Sequence, residues 1–319
     1  MRDTRRDSSA EYVELLEIPP EQKTREITFF APGFKKYKTT EYVDQDANEF
    51  VSISVTGMKC ALNCEHCRTN SLKGMIDLPN CGKSLFDLCA GLKSRGAKGI
   101  LLSGGSDRNG RVPLKKYLRD LSRIKNELGL RVSVHPGLPD EEMCHGLAEA
   151  NVDSVMLDII GDERTIKEIY HLDKTPEDYR QALATLSRFG VPIIPHVMLG
   201  HYYGQMRGEY AALEMIGEFE VKMLVVIIAM PLNGTGFTPD KVPGINEIDN
   251  FFRHARRAMP DAQIILGCAR PMGKLKDEID RAAIDAGFDG VAFPVDGLVK
   301  YAVSKNLITK FENSCCSVR

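Results

Sequence analysis

The chain has 319 residues, with 42 Lys or Arg and 44 Asp or Glu, so its formal net charge is −2 at pH 7. This length supports a large core without disulfides, and the charge gives no electrostatic reason to expect a nucleic-acid partner. No apolar run approaches the ~20 residues of a membrane span, and the charged N-terminus lacks an apolar signal segment. We therefore expect a cytoplasmic protein with no membrane association, whose nine cysteines stay reduced and need another use, metal binding first.

Residues 1–49 show no clean periodicity and are predicted to form an N-terminal extension. From residue 50, short β-branched runs alternate with amphipathic stretches, as they do in βαβ units. Eight strand–helix pairs predict an α/β fold, a (β/α)8 TIM-type barrel, closed or partly open, over residues 50–305. A doubly wound open sheet remains the alternative, because periodicity alone does not separate the two. The predicted strands lie at residues 50–57, 99–105, 131–137, 153–161, 192–200, 223–231, 263–271 and 290–297.

Polar and special residues collect where these predicted strands end, which is where such barrels carry their chemistry. Strand ends favour such residues in any protein, but this tendency does not explain a cysteine triplet. The candidates are Cys60, Cys64 and Cys67 after the first strand, Gly104, Gly105 and Ser106 after the second, His135, Asp158 and His196 on the third to fifth, Gly200 after the fifth, and Cys268 and Arg270 at the seventh.

The triplet "CALNCEHC" has the spacing C-x3-C-x2-C, with no second cysteine pair nearby to complete a zinc site. His66 lies inside it, but as the direct neighbour of Cys67 it is hard to aim at the same metal. Three thiolates can instead hold three irons of a [4Fe–4S] cluster, which leaves the fourth iron free for an exogenous ligand. The missing fourth thiol then corresponds to a vacant coordination site.

This motif, directly after the first strand of a βα repeat, resembles the radical S-adenosylmethionine (SAM) superfamily. His66 stands where the family has an aromatic residue before the last cysteine. The resemblance implies that the cluster binds SAM and that the 5′-deoxyadenosyl radical abstracts hydrogen from an unactivated carbon. It also implies a SAM-binding role for the residues Gly104, Gly105, Ser106, Asp158, His196 and Gly200.

The remaining cysteines divide into two kinds. Cys89 and Cys144 lie in amphipathic stretches and are expected in the core, whereas Cys81 stays undecided. Cys315 and Cys316 stand side by side in a polar tail, where exposed thiols have no packing reason. We expect residues 306–319 to fold over the barrel mouth, so that Cys268, Cys315 and Cys316 bind an auxiliary [4Fe–4S] cluster whose fourth ligand is unassigned.

Wider stretches, among them "FAPGFKKYKTTEY", "LLSGGSDRNGRVPL", "PHVMLGHYYGQMRGEY" and "LGCARPMGK", resemble the biotin-synthase-related radical SAM group. That group includes a subunit of the two-protein, archaeal-type lipoyl synthase. The resemblance implies a sulfur-inserting transferase of lipoate biosynthesis that thiolates an octanoyl chain on a lipoyl-accepting carrier protein or octanoyl-lysyl peptide. A second radical SAM subunit and an electron donor such as ferredoxin or flavodoxin are the other expected partners.

Other interpretations stay open. The chain could be a single-cluster radical SAM enzyme of the methylase or mutase type, a biotin-synthase-like enzyme on a small molecule, or a metal-binding scaffold without activity. Iron content separates one cluster from two, at about four irons per cubane. Cleavage of SAM separates an enzyme from a scaffold.

Overall fold

The computed structural model describes residues 25–31, 37–42 and 49–317. Its sheet contains eleven strands in the order β11-β1-β10-β9-β8-β7-β6-β5-β4-β2-β3, and every paired neighbour runs parallel. The strands are β1 Glu26–Phe30, β2 Phe50–Ser54, β3 Ile76–Asp77, β4 Gly99–Ser103, β5 Arg131–Val134, β6 Ser154–Asp158, β7 Ile193–Leu199, β8 Met223–Ile228, β9 Gln263–Leu266, β10 Gly290–Ala292 and β11 Ile308–Glu312.

Helices follow the strands along the chain. Their starts are set by local side chains: the Ser84 hydroxyl accepts from the Asp87 amide at 3.1 Å, and the Asp140 carboxylate accepts from the Met143 amide at 2.9 Å. Gly129, at φ 61°, ends one of them, since glycine adopts this left-handed conformation without strain. The helices are α1 Leu85–Lys93, α2 Leu118–Leu128, α3 Glu141–Glu149, α4 Glu163–Glu168, α5 Pro176–Arg188, α6 Glu209–Gly217, α7 Ile245–Ala258, α8 Lys274–Asp285 and α9 Leu298–Ser304.

Each of the eight predicted strand regions contains one strand, in β2 and β4 to β10. These eight strands keep their chain order in the sheet, which is the winding of a barrel and not of a doubly wound sheet. The sheet curls but does not close, because β11 and β3 form its two edges. The prediction of a partly open TIM-type barrel is therefore confirmed.

Strands β1 and β11 come from outside the predicted barrel bounds of 50–305. β1 pairs with both β10 and β11, so both terminal segments contribute to the same sheet. The division into an extension at 1–49, a barrel and a tail at 306–319 stays a prediction. None of the helices in the described part of the chain has the length and apolar character that crossing a membrane requires.

Alternate side chains of each strand face two different environments. In β6, Val155 and Leu157 join the large core that includes the helices. Met156, between them, faces the concave side of the sheet, which we call the lumen, together with Phe50. A second apolar cluster, made of Phe30, Ile194, Met223, Val225, Ile265, Ala292 and Phe293, is separate from the main core and belongs to the same concave side.

The chain after β11 turns into this lumen. Cys316 is 4% exposed and belongs to the apolar lumen cluster, and Cys315 packs against both that cluster and the Phe50–Met156 pair. The Ser317 carbonyl accepts from the hydroxyl of Ser154, the first residue of β6, at 3.4 Å. The tail segment (residues 313–317) therefore folds onto the barrel, as expected, and apolar side chains of the lumen pack around its two thiols.

Candidate functional site

The cysteine triplet lies on the loop that follows β2. Cys64 is buried, and Cys60 and Cys67 are half-buried. The Cys67 amide donates to the Cys64 carbonyl at 3.2 Å, and the Ala61 amide donates to the Ser106 carbonyl at 2.8 Å. The first bond turns the loop on itself, and the second ties it to the segment after β4.

The three thiols lie close enough to influence one another's ionisation. A hydrogen bond with Cys64 lowers the pKa of the Cys67 thiol; burial opposes this, and a hydrogen bond with His66 adds to it. The same bond, with burial and the charges of Cys67 and Cys60, raises the pKa of Cys64. One thiol of the group is therefore prepared to ionise, and thiolates are the form that binds iron.

The glycine turn after β4 packs directly on this loop. The Gly105 amide donates to the Thr56 hydroxyl at 2.7 Å. A Cβ atom at Gly105 would lie 2.7 Å from the Cys60 Cα, and closer still to the Lys59 carbonyl oxygen. A cavity of about 580 Å³ lies where the two segments meet, with Cys60, Gly105 and Ser106 in its lining. Gly105 thus adjoins the triplet, and the absence of a side chain there allows this approach, whereas Gly104 packs on Val55 and Thr56.

His66 borders the triplet on another side. Its ring lies 4.9 Å from the rings of both Tyr170 and His201, whose own hydroxyl and Nε2 are 2.6 Å apart. The His66 Nδ1 atom is buried and has no hydrogen-bond partner among the residues that the structure describes. Three clustered thiols, a glycine cradle and this orphaned polar atom together fit a [4Fe–4S] cluster with SAM beside it.

Asp158, at the end of β6, faces His135 on the neighbouring chain segment. The His135 Nε2 and an Asp158 carboxylate oxygen are 3.5 Å apart. Burial raises the pKa of Asp158, but the charge of His135 and the hydrogen bond to it outweigh burial and lower it. For His135, burial lowers the pKa, and the Asp158 charge and hydrogen bond raise it above 6.5. The predicted ribose contact at Asp158 therefore already has a protein partner, and the SAM role stays a prediction.

His196 lies on β7 and contacts the tail segment. Its Nδ1 is 3.0 Å from the Ile194 carbonyl oxygen, and its Nε2 is 3.3 Å from the Ser317 hydroxyl. Burial lowers the pKa of His196 to about 4, with Asp158 partly opposing the shift. The imidazole is therefore neutral at physiological pH. The His135 and His196 rings are 6.3 Å apart, so both belong to one side of the lumen.

Gly200 begins the turn after β7, with φ 69°. Its amide donates to the carboxylate of Glu209 at 2.9 Å, and the Gly208 amide donates to the other oxygen at 2.9 Å. Glu209 is 5% exposed, and burial raises its pKa. Sequence reasoning missed Glu209. Its only sequence signal is an acidic residue in the first turn of a helix, which is common in any helix.

Cys268 follows β9 and is exposed. The charge of Cys268 contributes to the raised pKa of Cys316, after a hydrogen bond with Cys315 and burial. The fold thus brings these three thiols into electrostatic range of one another. Among the described residues, no group of three or more His, Cys, Asp or Glu side chains is arranged to hold a metal ion. Ligands of a four-iron cluster bind different irons and stand farther apart than ligands of one ion.

Arg270 was a candidate to bind a carboxylate or to adjoin a cluster. It is 1% exposed, and its guanidinium donates to both oxygens of Asp280, at 2.6 and 3.1 Å. A substrate carboxylate therefore has no access to it. Cys89 and Cys144 are buried in the main core, as expected. Cys81 is half-buried, with its thiol 3.2 Å from the Leu78 carbonyl oxygen.

Solved structures resemble this chain in fold over most of its length. Methylornithine synthase (PylB) aligns with a TM-score of 0.55 and 16% identity, over 76% of this chain and 71% of that one. The [FeFe]-hydrogenase maturase HydG from Carboxydothermus hydrogenoformans aligns at 0.57 and 15%, over 89% and 67%. Streptococcus suis SuiB bound to SAM aligns at 0.51 and 13%, over 70% and 50%. At such identities the likeness shows the fold alone.

No curated protein matches the chain. A family model does: residues 54–210 match the model described as the Radical SAM superfamily. This range starts at the last residue of β2 and contains the cysteine triplet, the glycine turn, Asp158, His196 and Gly200. The family implies a [4Fe–4S] cluster and SAM, the two groups that the loop geometry fits. The chain therefore carries a domain of the radical SAM superfamily.

Proposed function

We propose that this chain is a sulfur-inserting radical SAM enzyme, one subunit of a two-component lipoyl synthase that thiolates a protein-bound octanoyl chain. One observation carries the proposal: the tail segment brings Cys315 and Cys316 into the lumen, within electrostatic range of Cys268. A barrel that needs only one cluster gives no reason to hold two adjacent thiols there.

The triplet and its surroundings have the first task in this proposal. Cys60, Cys64 and Cys67 would hold three irons of the SAM-binding cluster. With SAM bound, that cluster would supply the electron that cleaves the sulfonium, so that methionine leaves and the 5′-deoxyadenosyl group of SAM takes hydrogen from an unactivated carbon. Gly104, Gly105 and Ser106 would let backbone approach SAM, while the predicted contacts at Asp158, His196 and Gly200 lie across the lumen.

The lumen suits an alkyl substrate. Leu101, Met156, Ile194 and Ile227 belong to its apolar clusters. Each methylene buried against such a wall contributes about 0.8 kcal/mol. An octanoyl chain offers methylenes and no charge, so it could bind there without leaving a buried charge unpaired.

The tail has the second task. Cys268, Cys315 and Cys316 would bind the auxiliary cluster, which supplies the sulfur that joins the substrate carbon. Hydrogen bonds that join Ser317 to β6 and β7 hold the tail in place. A tail fixed on two strands keeps a sulfur source at a constant position relative to the triplet.

The carrier, the second subunit and the electron donor belong to the same proposal. The octanoyl chain would come on a lysine of a lipoyl-accepting protein, and ferredoxin or flavodoxin would supply electrons. The basic stretch "FKKYK", residues 34–38, carries three lysines suited to an acidic carrier. Of this stretch, only Tyr37 and Lys38 lie within the described residues.

Anaerobic reconstitution with iron and sulfide counts tests the proposal. We expect about eight irons in the wild type and about four in the Cys315→Ala, Cys316→Ala double variant, at four per cubane. The matched control is Cys81→Ala, which removes a half-buried thiol outside both groups and should keep about eight irons. The two-cluster protein should then thiolate an octanoyl-lysyl peptide, detected by mass spectrometry.

The contrary outcomes are distinct. About four irons in all three proteins would remove the sulfur source and favour a single-cluster methylase or mutase. Two clusters with thiolation of desthiobiotin and not of the peptide would favour the biotin-synthase-like interpretation. Absence of reductive SAM cleavage would favour a scaffold.

A further inference from the structure

The auxiliary cluster proposed above has three thiols and no assigned fourth ligand. We propose that His196 is that ligand and binds iron through Nε2. The inference rests on the proposed function, because it requires a cluster at Cys268, Cys315 and Cys316.

The hydrogen bond at Nδ1 fixes the tautomer of His196. Its partner, the Ile194 carbonyl oxygen at 3.0 Å, can only accept, so Nδ1 carries the hydrogen. The lone pair is then on Nε2. Histidines that bind metals usually donate their other ring N–H to a carbonyl or carboxylate in this way, which orients the ring for the metal.

The Nε2 atom faces the tail segment and accepts from the Ser317 hydroxyl. The Ser317 hydroxyl lies 3.3 Å from Nε2 and 3.9 Å from the Cys316 Sγ, so one small group separates the two candidate ligands. Ile194, two residues before His196 on the same face of β7, belongs to the apolar cluster that contains Cys316. Nε2 and the thiol therefore face the same part of the lumen.

The other polar side chains near the tail segment are poorer candidates than His196 for the fourth ligand. His135 has its Nε2 against Asp158 at 3.5 Å. The Arg270 guanidinium is occupied by Asp280. Ser317 is the remaining competitor, but its hydroxyl would have to release a proton to bind as an anion, whereas Nε2 offers a lone pair as it stands. Imidazole is also an established ligand for iron in clusters.

The experiment isolates the auxiliary cluster in the full-length Cys60→Ala, Cys64→Ala, Cys67→Ala variant, labelled with ¹⁵N-histidine. After reconstitution and reduction, pulsed EPR measures nitrogen hyperfine coupling. We expect coupling in this parent and none after His196→Cys, which should keep about four irons because a thiolate replaces the imidazole. His196→Phe should lose the coupling but keep about four irons, because three cysteines hold a cubane with one open iron. His145→Gln, at an exposed helical position, should leave the coupling unchanged.

Two results would overturn the assignment. A parent with about four irons and no nitrogen coupling would exclude His196 and match its alternative role as a SAM contact. A parent without nitrogen coupling, whose EPR spectrum changes in Ser317→Ala and not in His196→Phe, would make the serine the ligand. To verify folding, His196→Phe in the otherwise wild-type chain should keep about four irons at the triplet. A parent with no iron would mean instead that the second cluster, and with it the proposed function, fails.

Discussion

The two groups of cysteines come together by different routes. Residues 60–67 hold the triplet within one loop, closed by its own backbone bond from Cys67 to Cys64. Cys268 and the Cys315–Cys316 pair are brought near each other only because β1 inserts between β10 and β11, which directs the chain end into the lumen. The first group depends on local spacing, and the second depends on the whole sheet.

Their surroundings differ as well. The triplet borders an open cavity whose lining mixes polar residues such as Lys59 and Asp107 with Met58, whereas Cys316 packs among Phe30 and Ile194. A cluster at the triplet would be reachable by a soluble cofactor. One at the tail would have apolar walls around Cys315 and Cys316 and an exposed side at Cys268, and the apolar side suits a group that reacts with an alkyl chain.

The largest effect should come from the cysteine triplet, which is defined by its spacing within one loop. Replacing Cys60, Cys64 and Cys67 by Ala removes every protein ligand of the SAM cluster. We expect reductive SAM cleavage, measured as 5′-deoxyadenosine by chromatography, to fall to background. That loss exceeds the roughly 10–100-fold that removing an outer-shell partner costs. Cleavage that persists in the triple variant would contradict a radical SAM role for this loop.

The second group, Cys268 with Cys315 and Cys316, is assembled by the sheet. It should therefore be sensitive to side-chain packing elsewhere in the fold. Asp280 and Arg270 are both fully buried and form an ion pair at 2.6 Å, and Arg270 also donates to the Gly267 carbonyl, next to Cys268, at 2.7 Å. Asp280→Ala leaves the guanidinium buried and unpaired. We expect the free energy of unfolding to drop by about 3–5 kcal/mol in a urea titration.

Asp277 on the same helix provides the control. It pairs with Arg281 at 3.0 Å, but the two side chains are 42% and 38% exposed. Asp277→Ala should therefore cost about 0–1 kcal/mol. Equal losses of unfolding free energy in Asp280→Ala and Asp277→Ala would mean that burial of the Arg270–Asp280 pair adds no stability near the loop that carries Cys268.

The sequence alone predicts the features that are determined by residues close together in the chain. The eight strands of the barrel are visible because each is a compact apolar run between helical patterns, and the triplet is visible because its ligands share one loop. β1 was missed because "EITFF" stands alone in an aperiodic segment, and β11 because "ITKFE" is a polar edge strand. The tail path depends on long-range contacts that no local pattern encodes, and the pairing of Arg270 with Asp280 depends on how α8 packs against the end of β9.

Substituting a glycine in the turn after β4 should perturb the triplet loop and leave the cysteines that the sheet assembles unchanged. Alanine at Gly105 would put a Cβ 2.6 Å from the Cys60 Cβ, whereas at Gly104 the nearest atom, the Thr56 hydroxyl, is 3.0 Å away. Overpacking at Gly105 should cost about 1–3 kcal/mol and displace the triplet loop. We expect Gly105→Ala to reduce triplet iron and SAM affinity, Gly104→Ala to do so less, and Gly74→Ala, which meets nothing within 4 Å, to leave both unchanged. Equal SAM affinity in all three would argue against contact between the glycine turn and the cofactor.

The smallest effect concerns the lumen wall between the two groups of cysteines. The pKa of His135 is raised above 6.5 and that of Asp158 is lowered below 3.8, and each shift is caused in part by the other residue. The Asp158 contribution to stability is present above pH 3.8 and is lost as pH falls through its lowered pKa. The His135 contribution is complete below pH 6.5 and is lost as pH rises through its raised pKa.

The pair is thus fully charged between these limits. Asp158→Asn should therefore destabilise the protein by up to about 1 kcal/mol near pH 5.5, a bound that reflects partial exposure, and by less at about pH 8.5. Thermal unfolding at the two pH values measures this difference. Glu149→Gln removes the partner of His145 in an exposed pair with the same 3.5 Å separation and should show almost no pH-dependent difference. Equal losses for Asp158→Asn at the two pH values would mean that His135 is neutral at both, and the wall would then present the Asp158 carboxylate alone to a ligand.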